Sequence, residues 1–260
     1  MPSPIDRLAL HFAGEQTRPG LLARAALRRP APGDAELARR LAARAAEDMR
    51  PDGSVGGAAL PTIWRVHELL DLATPAGAEP TGRALRWVLG LQGKPGAYGE
   101  GCDRERHGRR LCEHYLVGFF AAGTSTERLA PITLPNGKVY RAEPAARFAI
   151  SCLAVRAVLR AGGGDRQTLD RHLDVLVALA EQWTAWGGHF APDLIVATLH
   201  LLALAGPERR EVVDRLVELA AASQAADGGW PNADLFHVLD ALRAAGTDRA
   251  LAGVRRAVPA

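Results

Sequence analysis

The densest grouping of reactive side chains runs from Gly101 to Tyr115 and holds two cysteines, two histidines and three carboxylates. The order Cys102-x4-His107-x4-Cys112-x-His114 contains the thiolate and imidazole donors that zinc prefers. With Cys102, His107, Cys112 and His114 as ligands, a zinc-bound thiolate would attack an electrophilic carbon, or the metal would sharpen a bound water. Cys112 and His114 are two residues apart, about 200° around a helix. Both face one metal only if Cys112 lies in the frayed start of its helix. The competing reading is structural, since buried helices often hold hydrogen-bonded histidines and small apolar cysteines. Cys152, in Ser151-Cys152-Leu153, reads as such a core residue.

A third histidine belongs with this group. His114 and His237 each stand nine residues before a helix-ending glycine, Gly123 and Gly246. If the helices carrying them are parallel staves, both face one cavity, which makes Cys112, Glu113, His114 and His237 the candidate catalytic residues. Trp64, Arg65, Tyr115, Arg147, Asp193 and Asp240 are the candidate substrate contacts, with Arg65 and Arg147 suited to a diphosphate by bidentate hydrogen bonding. Asp193 and Asp234 fall at helix starts, where N-capping is the alternative role. His67 and His200 read as core.

Four stretches that must position these residues share one plan: an amphipathic helix, a glycine turn, then a more apolar helix ending in small residues. Their turns end at Val55, Tyr98, Phe190 and Trp230, separated by 43, 92 and 40 residues. Because 92 is close to twice the unit, a fifth, irregular unit belongs in the middle, with Ala145–Gly162 as its second helix. Leu173, Leu176, Val177 and Ala180, and Val213, Leu216, Val217 and Ala220, follow the helical period. Leu194–Leu202 is apolar nearly all round, as a helix buried on most sides must be. Alternation of amphipathic and buried helices predicts an outer and an inner row, and about five such units predict a repeat architecture closed into a ring.

Ile132–Tyr140 is the clearest β signal, with Asn136-Gly137 between short arms predicting a two-residue type I′ hairpin. It is read as a surface insertion or as a flap over one mouth of the ring.

Composition narrows the classes. The chain has 260 residues, 48% of them hydrophobic, and its mean hydropathy is near neutral, without an apolar run long enough to cross a membrane. Met1–Arg18 lacks the apolar core of a secretory signal. Three cysteines form no disulfide framework, so a cytoplasmic setting is expected. The formal charge of +3 comes almost wholly from Arg, since Lys occurs only at Lys94 and Lys138. Basic and acidic residues alternate along helix faces, so no nucleic-acid partner is expected.

The turns carry a further pattern. Gln224-x3-Gly228-x-Trp230 and Gln92-x3-Gly96-x-Tyr98 have one form, and Gln182-x5-Gly188-x-Phe190 is a looser copy. They resemble the QW repeats of squalene and hopene cyclases, which recur weakly in protein prenyltransferase β-subunits; the resemblance spans Leu37 to Gly246. It implies an all-α, single-domain α/α toroid of about five to six helix pairs. N-terminal helices would occupy 1–36, repeat units 37–77, 81–123, 143–162, 167–206 and 210–246, and the hairpin insertion 124–142. It also implies a central cavity for a prenyl or other apolar substrate, a transferase or cyclase activity, a possible zinc ion and a helical partner subunit. The glycines and Gln amides of these turns are read as structural. The Asp-x-Asp-Asp acid and the Asp-Asp-x-x-Asp magnesium motif are both missing from the sequence. Arg110 stands where prenyltransferases place an Asp two residues before the cysteine, and aromatics are only 5% of the chain. The alternative is a non-catalytic toroid acting as a binding or partner protein, with at most a structural zinc.

Overall fold

The structure is a computed structural model that describes residues 3–75, 77–91, 129–134, 137–163, 166–181, 183–187 and 192–257. Among them the chain is all-α apart from one small hairpin. It divides into two compact units, Met1–Gly90 and Leu91–Ala260.

The first unit contains α1 (Pro4–Phe12), α2 (Arg18–Ala26), α3 (Asp34–Glu47), α4 (Ala59–Asp71) and α5 (Glu79–Gly90). Ser3 and Thr17 cap α1 and α2 by accepting the N–H groups of Asp6 and Gly20. Arg24 ties the first three helices together. Its buried guanidinium donates to both carboxylate oxygens of Asp34, to Phe12 O at 2.6 Å and to Glu15 O at 2.9 Å. A planar fork with five donors meets this many acceptors where an ammonium would not. Helix α4 buries Ile63, Val66 and Leu69 and packs between α3 and α5.

The second unit contains the hairpin β1 (Ile132–Thr133) and β2 (Val139–Tyr140), then α6 (Glu143–Ala161), α7 (Arg166–Ala180), α8 (Pro192–Ala205), α9 (Arg210–Ala222), α10 (Leu235–Ala245) and α11 (Asp248–Ala257). Alternate helices form two rows. Helix α8 lies between α6 and α10, while α7 and α9 cover its back, and α11 packs on α9 and α10. This explains why α8 is apolar nearly all round: Leu194, Ile195, Val196, Leu199, Leu201 and Leu202 are all buried. Each such side chain removed from water contributes about 1.5–3 kcal/mol. Gly162, in the left-handed region at φ 62°, ends α6 at the residue the sequence pattern predicts. Helix α11 lies beyond the last expected helix. It buries only Ala250 and Gly253, so its apolar stripe is too thin to register in the sequence.

One turn occurs in both units. In the first, Arg50 N–H donates to Ser54 O at 2.8 Å, Gly53 N–H donates to Arg50 O, and Asp52 Oδ1 accepts the Ser54 N–H. In the second, Ala225 N–H donates to Gly229 O at 2.9 Å, Gly228 N–H donates to Ala225 O, and Asp227 Oδ1 accepts the Gly229 N–H. Gly53 (φ 92°) and Gly228 (φ 85°) sit in the left-handed region against the backbone of α5 and α11 respectively. In the second unit Gln224 Nε2 donates to Gly228 O and Gly253 O, and Trp230 Nε1 donates to Ala220 O at 2.8 Å. Gln224 and Trp230 therefore seal a helix end, the structural role read from the motif. The copies at Gln92–Tyr98 and Gln182–Phe190 include residues outside the described ones.

The hairpin pairs Ile132 with Tyr140 and Thr133 with Val139. This register is one residue off that of the expected two-residue turn. Leu134 O accepts the Gly137 N–H, Leu134 N–H donates to Lys138 O, and Gly137 has φ 82°. Those bonds close a three-residue loop of the type that ends in a left-handed glycine. Among the described residues no helix is long and apolar enough to cross a membrane.

Candidate functional site

In the second unit, the hairpin, the middle of α6, one stretch of α8 from Asp193 to Leu201 and the start of α10 line a cavity of about 40 Å³. That volume holds about three water molecules. Ala149 and Leu153 of α6, and Leu194, Ala197 and Leu201 of α8, form an apolar wall. The same lining also brings together Lys138, Tyr140, Arg156, Asp193, His200 and His237, with Cys152 beside them.

A chain of bonds fixes the polar residues. Asp234 caps α10 by accepting the His237 N–H at 2.8 Å, as its place at the helix start predicts. Asp193 acts differently: its Oδ1 accepts the Asp234 backbone N–H at 3.1 Å, which sets the starts of α8 and α10 side by side. Its other oxygen forms an ion pair with Lys138, which reaches down from the hairpin. Asp193 is buried, with a side chain 6% exposed, whereas that of Lys138 is 33% exposed. The Lys138 ammonium also lies 5.8 Å from the centre of the Tyr140 ring. The His200 and His237 rings are 5.9 Å apart.

Burial governs the protonation of this group. Desolvation holds the Lys138 amine below its ordinary value, although the charge of Asp234 opposes the shift. The Tyr140 phenol is pushed up to about 12, mainly by burial, and stays a hydroxyl donor. The Cys152 thiol is pushed up by burial, against a smaller opposite effect of Arg156, so it behaves as the core residue its sequence context suggests. His237 is lowered to about 4, first by burial and then by Arg156, with Asp234 opposing; its imidazole is neutral at ordinary pH.

Of the residues singled out in the sequence, His237 and Asp193 come together in this cavity. Arg147 is buried on α6 but is not part of its described lining, and Asp240 is exposed on α10. Trp64 and Arg65 belong to the first unit. There Trp64 stacks obliquely near His67 at 5.7 Å, and Arg65 pairs with Glu68 at 3.1 Å and Asp48 at 3.5 Å. Cys102, His107, Cys112, Glu113, His114 and Tyr115 lie outside the described residues, and the zinc reading lies there with them. Among the described residues no three His, Cys, Asp or Glu side chains gather as metal ligands.

Lys138, Tyr140 and Arg156 did not stand out as site residues in the sequence, and His200 read as core. For Lys138 a signal was present: it is one of two lysines in a chain that otherwise uses arginine. A lysine offers what an arginine cannot, an amine that burial can bring toward neutrality. Tyr140 and Arg156 carried no comparable mark. No family model, no curated protein and no solved structure matches the chain.

Proposed function

We propose that the chain is an enzyme of the isoprenoid-handling type, transferase-like or cyclase-like, that takes an apolar small molecule with a polar head into the cavity of the second unit. In this reading the helix pairs close into an α/α toroid in a cytoplasmic protein, and a helical partner is compatible with it. The observation that carries the reading is the mixed lining of the cavity, which brings aliphatic side chains together with Lys138, Arg156 and neutral His237. The apolar side chains suit a hydrocarbon body, Lys138 and Arg156 suit an anionic or carbonyl-bearing head, and the buried, neutral His237 offers a hydrogen-bonding imidazole. No step is derived through zinc, because the proposed ligand set is outside the described residues.

A cavity of about 40 Å³ does not hold a prenyl chain as it stands. Binding a longer chain therefore requires the lining of the cavity to open around it. The same small volume favours a second reading, a non-catalytic binding or partner protein.

Native mass spectrometry with geranyl and farnesyl diphosphate and their parent alcohols tests the proposal. The enzyme reading expects a 1:1 complex, at least tenfold weaker in His237→Ala, and conversion of the bound compound. Binding without conversion selects the second reading, and absence of any complex removes the isoprenoid reading.

A further inference from the structure

We propose that Lys138 is an imine-forming lysine, so that the cavity takes a ligand bearing an aldehyde or ketone, which Lys138 captures covalently with Asp193 carrying the proton. The inference rests on the cavity being a ligand site, and it adds the chemical class of the head group.

The geometry meets three requirements of such a lysine. Its amine must reach an enclosed space, and Lys138 extends from the hairpin into the lining of the cavity. A base must touch it to take the ammonium proton, and Asp193 does so from a buried position held by the Asp234 N–H. A donor must stand where the carbonyl oxygen becomes an alcohol, and the Tyr140 hydroxyl shares the same lining. Burial favours the neutral amine, which supports the assignment. An ordinary surface ion pair would not need any of these features, and in this chain arginine fills that role elsewhere, as in Arg209 with Asp170 and Arg210 with Asp214.

The step balances without an outside reagent. Asp193 takes a proton from the Lys138 ammonium, and the freed Nζ lone pair attacks the carbonyl carbon. The carbonyl π pair moves to oxygen, which receives a proton from Tyr140, giving a carbinolamine. Asp193 returns its proton to the hydroxyl, the C–O bond breaks, and water departs as nitrogen forms the C=N bond. One of the two protons left on nitrogen restores Tyr140 before the C=N bond forms. The sum is an ammonium and a carbonyl giving a protonated imine and water.

The two-lysine composition makes the test simple, because Lys94 is the only other side-chain amine. The full chain is incubated with propanal, which is small enough for the cavity, and with citral, an isoprenoid aldehyde, each with cyanoborohydride. Peptide mass spectrometry then locates the reduced adduct. The expected result is labelling of Lys138 at least tenfold faster than Lys94, with the selectivity lost in urea. In Asp193→Asn, whose amide oxygen can still accept the Asp234 N–H, Lys138 labelling falls at least tenfold while circular dichroism is unchanged. Equal labelling of the two lysines, preference for Lys94, or an unaffected Asp193→Asn overturns the inference. Isoprenoid binding without trapping overturns it and leaves the proposed function standing. Trapping of propanal with no isoprenoid complex does the reverse.

Discussion

In the first unit the turn Arg50–Val55 leads from α3 into α4, and in the second Ala225–Trp230 leads from α9 into α10. The two turns make the same three hydrogen bonds, and each places a left-handed glycine against the backbone of the helix after next. They differ in how the next helix begins. In the first unit the Val55 N–H donates to the hydroxyl of Thr62, which itself donates to Ala58 O, so the start of α4 is closed by its own small side chain. In the second, the Trp230 indole seals α9, and the start of α10 is left to Asp234 and Asp193, whose carboxylates continue to Lys138 and the cavity. One local device serves a purely structural junction in one place and the floor of a candidate site in the other. A repeat motif therefore locates joints, while the residues just past the joint decide whether chemistry is present.

The sharpest way to break this comparison is to fill the two glycines. A Cβ on Gly53 would lie 2.4 Å from the Arg83 carbonyl carbon, and one on Gly228 would lie 2.5 Å from Arg256 O. Gly53→Ala and Gly228→Ala should each cost about 3 kcal/mol in urea denaturation, since strain at positive φ adds to a backbone clash. Gly162→Ala, with nothing within 4 Å, should cost only about 1 kcal/mol. A Gly53 or Gly228 substitution as mild as Gly162→Ala would show that the two turns are not equivalent joints.

Acid should separate the units next. His172 and His237 both fall to about 4 through burial, so the folded second unit refuses protons that the unfolded chain binds below about 6.5. Their neutral burial is harmless above that pH, and stability is lost as pH falls from 6.5 toward 4. At pH 5.5 each histidine should cost about 1 kcal/mol. In the first unit, Arg24 holds the Asp34 carboxyl down and the Ser54 backbone N–H does the same for Asp52. Their contribution is present above the unfolded carboxylate range near 3.8 and is lost as pH falls through the lower folded values. Hydrogen exchange at pH 5.5 should therefore show the second unit opening first; the opposite order would contradict the assignment of burial.

The smallest expected effect sharpens the difference between the sealed ends. Trp230→Phe keeps an aromatic cover but removes the hydrogen bond to Ala220 O, and should cost about 1 kcal/mol by thermal melting. Thr62→Val should cost a similar amount in the first unit, because it leaves the Val55 N–H without its acceptor.

Much of the helical plan was legible because it is written in short-range patterns. The 3.6-residue period of Val213–Ala220, the nearly all-apolar run of Leu194–Leu202 and the glycine after Ala161 are each visible within a few turns of chain. The site was only half legible. His237 and Asp193 stood out as polar residues near helix starts, but Asp193 was ambiguous with a cap of its own helix. It bonds Asp234 instead, 41 residues away, and nothing local in the sequence marks that partner.

The sequence by itself determined most of the helical segments, α11 apart, which of them must be buried and where glycine must bend the chain, because those choices depend on period, side-chain polarity and backbone sterics within a few residues. Only the tertiary structure decided that the hairpin pairs one residue out of its expected register and sets Lys138 on Asp193, and that Arg147 and Asp240 stand outside the cavity. Those outcomes depend on desolvation and charge pairing between segments far apart in the chain, where burial of one amine beside one carboxylate is settled by packing and not by any local preference.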